Sequence, residues 1–320
     1  MRRGLVIGKF YPFHRGHGHL IASALRRCDA LTVAVCHHPN QDIPGEVRAG
    51  WIREVYPEAK VIIVEDCVPA DDSQGWAGYT RRFLGHAPDV VFTSESYGEA
   101  YARHLGCAHE LIDLSRNAVP VSGTAVRENP LRQWQYLDPC VRAWFACRTV
   151  VIGAESTGKT TLCKQLAEYF RTVWVPEFGR MYYESKVHSA AEGTWESREF
   201  ELIAAEQNRL EDRGARECNK LLICDTDSFA TAIWHERYLK CGSPSVEALA
   251  SGRRPAHYFL CAPDVPFVQD GFRDGEHMRA WMHETFLERL THTGRRFTLL
   301  SGSYGARWDC ALEVCKTFLC

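Results

Sequence analysis

The chain has 320 residues, 45% of them hydrophobic and 24% charged, with a formal net charge of −2. These ordinary globular values exclude a disordered chain, and the length favours two domains, each with a sizeable core. With no basic excess and no local basic patch, nucleic acid is not an expected partner, whereas small anionic substrates fit.

The N-terminal MRRGLVIG holds an apolar run too short for a signal peptide, and no stretch approaches the roughly 18 apolar residues of a spanning helix. A soluble, cytoplasmic protein without membrane association is therefore expected, and a homo-oligomer is compatible with this composition. The 14 cysteines form no C-x-x-C pair. Most lie in apolar runs such as LTVAVC and LLICD, which reads as reduced core residues. Cys36, His37 and His38 make the one metal-like cluster, but with no second ligand pair nearby they read as a loop at the carboxyl end of a strand.

In chain order, GLVIG (4–8), ALTVAVC (30–36), AKVIIVED (59–66), DVVFTS (89–94) and CAHELIDLS (107–115) read as strands. Helical stretches separate them, the first expected to begin near His17, with others over 45–56, 75–86 and 96–106. A second series starts at ACRTVVIGAESTGKTTL (146–162) and continues through KLLICDTD (220–227), AHYFLCAPD (256–264) and RRFTLLSG (295–302). Short β-branched runs alternating with amphipathic helices indicate parallel sheets with crossover helices, hence two doubly wound α/β domains. Proline-bracketed helical pieces between the series place the boundary near Cys147, giving domains 1–146 and 147–320.

GAESTGKT, Gly153 to Thr160, fits G-x-x-x-x-G-K-[ST] between an apolar strand and a helix. Backbone N–H groups from Gly153 through Glu155, Ser156, Thr157 and Gly158 to Thr161 at the helix start would cradle a polyphosphate. Lys159 would bridge the β- and γ-phosphates and Thr160 would bind Mg²⁺. Asp225 and Asp227 end an apolar strand, where a carboxylate can hold Mg²⁺ or accept a hydroxyl proton; a solvated turn is the plainer alternative. Arg273, in the Gly-flanked VQDGFRDG, suits a lid over a transferring phosphoryl group, and an ordinary surface loop fits as well. Glu177 and Arg180 in VPEFGR follow another strand end and could hold substrate hydroxyls or phosphate.

GKFYPFHRGH, running from Gly8 through Lys9 and Phe10 to His14 and His17, follows the first strand directly. Gly8 permits close approach to a ligand, Pro12 shapes the turn, and His17 lies where a helix N-terminus points its N–H groups. Two imidazoles there suit charge developing on an α-phosphate, without a covalent intermediate. Ser122, Thr124 and Arg127 in VSGTAVRENP could grip the departing β- and γ-phosphates. Trp76, in SQGWAGY, could stack on a cationic ring or face the core of its helix.

GKFYPFHRGH resembles the G-x-F-x-P-x-H-x-G-H signature of the HxGH nucleotidyltransferases, and VSGTAVR resembles their second motif. A P-loop domain behind them, with VPEFGR, DTD and VQDGFRD in that order, resembles the NadR-type bifunctional proteins. The resemblance spans nearly the whole chain and implies an HxGH Rossmann-like nicotinamide-nucleotide adenylyltransferase followed by a P-loop ribosylnicotinamide kinase. The implied ligands are ATP, nicotinamide riboside and nicotinamide mononucleotide (NMN), with Mg²⁺. It implies that His14 and His17 bind the transition-state phosphate and that Thr124 and Arg127 hold the ATP tail. Lys159 and Thr160 take the P-loop roles, Asp225 or Asp227 serves as base and magnesium partner, and Arg273 lies in the lid. Some members begin with a helix-turn-helix repressor domain, whereas this chain starts at the adenylyltransferase strand, so operator binding is not expected. Gly123 implies a more flexible second motif. A coenzyme A pathway fusion of the same domain order is the nearest rival, but that family carries Asp before the motif proline and Thr at the first histidine position, where this chain has Tyr11 and His14. A nucleotide-sensing regulator is the non-enzymatic alternative, against which the intact histidine pair argues.

Overall fold

The computed structural model of the chain describes residues 1–187, 194–253, 255–269, 271 and 275–319. It divides into two compact units, Met1–Arg142 and Ala143–Cys320, a division slightly ahead of the boundary read from the sequence. The first unit comprises β1 (Arg3–Gly8), α1 (Arg15–Leu25), β2 (Ala30–His37), α2 (Gly45–Val55), β3 (Lys60–Glu65), α3 (Ser73–Leu84), β4 (Val90–Thr93), α4 (Gly98–Leu105), β5 (Ala108–Leu111) and α5 (Gly123–Glu128), with α6 (Pro139–Phe145) at the division. Its strands are parallel, in the order β3-β2-β1-β4-β5. Leu5, Val6, Val33, Val35, Val91 and Phe92 are fully buried, because helices cover both faces of such a sheet.

The second unit comprises β6 (Cys147–Gly153), α7 (Lys159–Phe170), β7 (Trp174–Val175), α8 (Phe178–Val187), α9 (Ser197–Glu217), β8 (Leu221–Asp225), α10 (Ser228–Leu239), α11 (Pro244–Ser251), β9 (His257–Cys261), α12 (Arg279–His292), β10 (Phe297–Leu300) and α13 (Tyr304–Thr317). These strands are also parallel, ordered β10-β9-β6-β8-β7. In each sheet the first strand of the unit is central, with later strands added on both sides. That order creates a switch point, and the crevice beyond the carboxyl end of the central strand is where such sheets bind ligands. Both glycine-bearing stretches, after β1 and after β6, open there.

One boundary differs from expectation. The first helix begins at Arg15 rather than near His17, because His14 is its N-cap: the His14 Nδ1 accepts from the Gly16 N–H at 3.1 Å and the His17 N–H at 3.3 Å. Among the described residues no helix is long and apolar enough to cross a membrane.

The close packing of α9 on the sheet generates a stability prediction. A Cβ at Gly214 would stand 2.9 Å from both Leu222 Cδ1 and Val175 Cγ2, inside a buried contact. Gly214→Val should destabilise the protein by about 2 kcal/mol through overpacking. A urea unfolding curve with an unshifted midpoint would contradict this.

Candidate active sites

In the first unit, His14 is buried and its ring stacks on His17 with centroids 3.7 Å apart and planes 18° from parallel. Phe10 meets His17 edge-on at 5.1 Å and Phe13 stacks at 6.2 Å, so three aromatic rings fix the His17 imidazole. Phe10, itself buried, reaches this position through a left-handed backbone with φ 46°. Since the His14 Nδ1 accepts two backbone N–H groups, the proton of the neutral ring sits on Nε2. That Nε2 and the His17 Nδ1 are buried without a hydrogen-bond partner, and both rings line a cavity with Ser94, Asp113, Arg116 and Ser122. Burial holds the His14 imidazole down at about 4, with the Arg116 cation adding to the effect. Burial, then His14 and Arg116, push His17 well below its ordinary value.

The second motif meets the first through backbone. Arg127 Nη1 donates to the Tyr11 carbonyl at 2.6 Å, Nη2 donates to Thr124 Oγ1 at 2.9 Å, and the guanidinium lies 5.3 Å from the Tyr11 ring centroid. Ser122 caps α5, its Oγ accepting from the Ala125 N–H at 3.1 Å. Gly123 is not a flexible element. It opens α5, and a Cβ there would stand 3.0 Å from the Tyr11 carbonyl oxygen, so glycine permits the approach of the two motifs. Beyond Gly8, Lys9 pairs with Asp66 at 2.8 Å on the wall of a second cavity of about 140 Å³. Trp76 is partly buried against the core cluster, its Nε1 donates to the Pro69 carbonyl at 3.1 Å, and it also lines this cavity with Tyr97 and Tyr101.

In the second unit, the loop after β6 turns through φ 145° at Gly153, 56° at Ser156 and 84° at Gly158 before α7 begins at Lys159. A Cβ at Gly153 would lie 2.7 Å from the Cys261 carbonyl oxygen, so glycine is required there on two grounds. Lys159 Nζ and Thr157 Oγ1 both donate to the Ala154 carbonyl, at 2.8 and 2.9 Å. Thr160 Oγ1 donates to Asp225 Oδ2 at 2.5 Å, while Asp225 Oδ1 is buried without a partner. Burial raises the Asp225 carboxyl, against the pull of Lys159 and Thr160. The cleft, about 170 Å³, runs from Ser156, Lys159, Thr160 and Thr161 past Glu177 and Arg180 to an aromatic end formed by Tyr183, Trp195, Phe200, Trp234 and Tyr238. Burial pushes the Glu177 carboxyl up to about 7 against the attraction of Lys159. Arg180 Nε donates to Glu184 at 2.8 Å.

One expectation changes. Neither aspartate lines the cleft, but Asp225 adjoins it through Thr160, whereas Asp227 is fully buried as the N-cap of α10, with Oδ1 accepting from the Ala230 N–H at 3.0 Å and Oδ2 from the Tyr258 hydroxyl at 2.6 Å. Both oxygens are engaged, so it is a cap rather than a base or metal ligand. Glu155 touches the cleft, but its carboxylate pairs with buried Arg237 at 3.0 Å and accepts from the Gly275 N–H at 2.9 Å, bonds that brace the loop from behind. Arg273 lies outside the described residues. Cys36 and His37 end β2 and His38 follows it, and among the described residues no group of three or more His, Cys, Asp or Glu side chains could hold a metal ion.

Residues 148–307 match the AAA domain family and residues 5–129 the cytidylyltransferase-like family. The trifunctional NAD biosynthesis/regulator protein NadR of Escherichia coli is 29% identical over 298 residues, covering 84% of this chain and 71% of that protein. The chain belongs to the NadR-type family. A nicotinamide-nucleotide adenylyltransferase of Methanolobus tindarius is 26% identical over 148 residues, covering 43% of this chain and 84% of the archaeal one. The fold agrees: the crystal structure of a NadR protein in complex with NR superposes with a TM-score of 0.83 at 21% identity, covering 99% of this chain and 96% of the other.

Within this NadR-type frame, sequence reasoning missed two arginines and the aromatic end of the second cleft. Arg48, fully buried, donates to the Ile43 and Cys36 carbonyls at 3.0 Å and also to that of Lys9, fastening the ends of β1 and β2. Arg116 pairs with Glu95 at 3.2 Å beside the histidine cavity. Both lie outside any quoted motif. Trp234 and Tyr238 are four residues apart on α10, a spacing that reads as ordinary helix core.

The buried histidine pair sets a pH dependence. An unfolded histidine protonates near 6.5, whereas folded His14 stays neutral to about 4, so the folded chain binds fewer protons across that window and loses stability as pH falls. At pH 5 the penalty is about 2 kcal/mol. His14→Asn, which keeps a side-chain acceptor for the helix cap, should lose less stability between pH 7 and pH 5 than the parent in guanidinium titrations. Equal losses would show that the ring is not held neutral by burial.

Proposed function

We propose that this NadR-type enzyme phosphorylates nicotinamide riboside with ATP in the second unit and adenylylates the resulting NMN with ATP in the first, forming NAD. The observation that carries this reading is that each phosphate site adjoins a cavity walled by tryptophan and tyrosine. A pyridinium cation gains from such walls, whereas the aliphatic arm of a pantetheine substrate would not.

In the kinase step, the riboside 5′-oxygen attacks the γ-phosphorus of ATP, the bond to the bridging oxygen breaks, and ADP leaves. Thr160 and Asp225 present hard oxygen donors side by side, with one carboxylate oxygen unpartnered, which fits Mg²⁺ shared with phosphate oxygens. When bound there, the ion would neutralise charge on the β- and γ-phosphates. Lys159, now resting on the Ala154 carbonyl, turns to the phosphates when they arrive. With Asp227 serving as a cap and Asp225 committed to Thr160, Glu177 accepts the hydroxyl proton, and a carboxyl near 7 suits that work. The aromatic end holds the pyridinium ring, and Arg180 guides the phosphate.

In the second step, an NMN phosphate oxygen attacks the α-phosphorus of ATP and pyrophosphate leaves. His14 Nε2–H and His17 donate to the nonbridging oxygens as charge builds, in a pocket where burial strengthens each bond. Gly8, Lys9 and Phe10 bring the backbone to the triphosphate, Ser122, Thr124 and Arg127 hold its leaving end, and Trp76 faces the NMN ring. No enzyme nucleophile takes part, so rate comes from positioning and charge stabilisation.

Because the sites are chemically separate, single substitutions should divide the activities. Lys159→Ala should abolish NMN formation from the riboside and leave NAD formation from supplied NMN nearly intact, while His17→Ala should lower the latter by about a hundredfold and let NMN accumulate. A folded Lys159→Ala protein that cannot adenylylate NMN would defeat the two-site reading, and comparable rates with NMN and phosphopantetheine would defeat the assigned acceptor.

A base that must be ionised gives the kinase step an acid limb, with kcat rising as pH climbs through about 7. Glu177→Gln should lower kcat and flatten that limb, read from initial rates of NMN formation between pH 5.5 and 8.5. An unchanged limb would move the base elsewhere.

A further inference from the structure

The turn Asp225–Thr226–Asp227 supports the kinase cleft in two ways: the Asp225 carboxylate accepts from Thr160 of the cleft wall, and α10, which follows the turn, carries Thr231, Trp234 and Tyr238 into that wall. It does so at a cost, because Thr226 is β-branched yet sits at φ 67°, in the left-handed region. Its N–H donates to the Val151 carbonyl at 3.0 Å and its carbonyl accepts from Gln207 Nε2 at 3.4 Å. The strongest restraint comes from outside the cleft. Tyr258 on β9 reaches past the central strand, in the same register row as Val150 and Cys224, and donates to Asp227 Oδ2 at 2.6 Å. Arg295 Nη1 donates to the same phenol oxygen at 3.0 Å and its guanidinium lies over the Tyr258 and Phe229 rings. Tyr258 is 1% exposed and does not line the cleft, so it touches neither substrate nor phosphate.

We propose that Tyr258 is a positioning residue of the kinase half, whose hydroxyl, acting through Asp227, clamps the strained Thr226 turn so that Asp225 and the aromatic wall of α10 keep their places. Without the phenol hydroxyl, Asp227 Oδ2 is left buried without that donor and the turn can relax out of the left-handed conformation. Asp225 then moves relative to Thr160, and α10 shifts with its cap.

This inference rests on the reading of the second unit as a riboside kinase, and the test separates the two. The wild type, Tyr258→Phe, Thr226→Gly and the double variant are assayed for NMN formation from nicotinamide riboside and ATP, and for NAD formation from supplied NMN as an internal control. Tyr258→Phe should lower the kinase kcat by about tenfold, as expected for losing one hydrogen bond to a charged group, while NAD formation from NMN stays at the parental rate. Glycine adopts positive φ without strain, so in the Thr226→Gly background the same hydroxyl deletion should cost only about twofold, since less strain then needs holding. A role confined to core packing would lower the melting temperature but leave kcat unchanged, or give equal losses in both backgrounds; either result overturns the proposal. If Tyr258→Phe does not fold, Asp227→Asn, which keeps the cap oxygen and removes the charged acceptor of the phenol, carries the same paired expectations. A wild type that forms no NMN would instead end the kinase reading itself.

Discussion

A central parallel strand has to hand its chain to a helix whose first N–H groups have no partner within the helix, and both sites of this protein grow from that requirement. In each unit the strand is buried on both faces, the crevice beyond its carboxyl end is open, and the following helix aims its positive end into that crevice. An anion is the natural occupant. The two units meet the requirement with different side chains, and those differences set the chemistry.

After β1, the N–H groups are partly satisfied by the protein itself. His14 caps the helix and in doing so commits its Nδ1, which leaves the proton on Nε2 and turns that atom inward. The cap, the tautomer and the unpartnered Nε2 are thus one arrangement, held by the stack with His17, Phe10 and Phe13. After β6, the loop relies on left-handed turns at Gly153, Ser156 and Gly158, with Lys159 resting on a loop carbonyl. One site is built for an α-phosphate undergoing substitution, the other for a terminal phosphoryl group.

Buried charge in the second unit follows the same economy. Of the carboxylates near the cleft, Asp227 is used up by a helix cap and the Tyr258 hydroxyl, Glu155 by Arg237 and the Gly275 N–H, and Asp225 by Thr160 on one oxygen only. Glu177 lines the cavity, and burial raises its carboxyl to about 7. Partners, more than proximity in sequence, distinguish these carboxylates from one another.

The amino-acid sequence by itself determined the two parallel-sheet units, both phosphate-binding turns and the family, because these depend on local patterns: apolar runs of strand length, glycines where backbone must turn or approach, and histidine or lysine at a helix start. It also named residues that meet in the clefts, among them His14 and His17 in one and Lys159 and Thr160 in the other. Only the tertiary structure decided between Asp225 and Asp227, which are two residues apart on one strand end and face different partners. It also set Gly123 against the Tyr11 carbonyl, drew Arg48 to the carbonyls of Lys9, Cys36 and Ile43, and brought Trp195 of one segment beside Trp234 and Tyr238 of another. Those outcomes depend on contacts between residues far apart in the chain, and a local pattern carries no record of which distant donor will take a given oxygen.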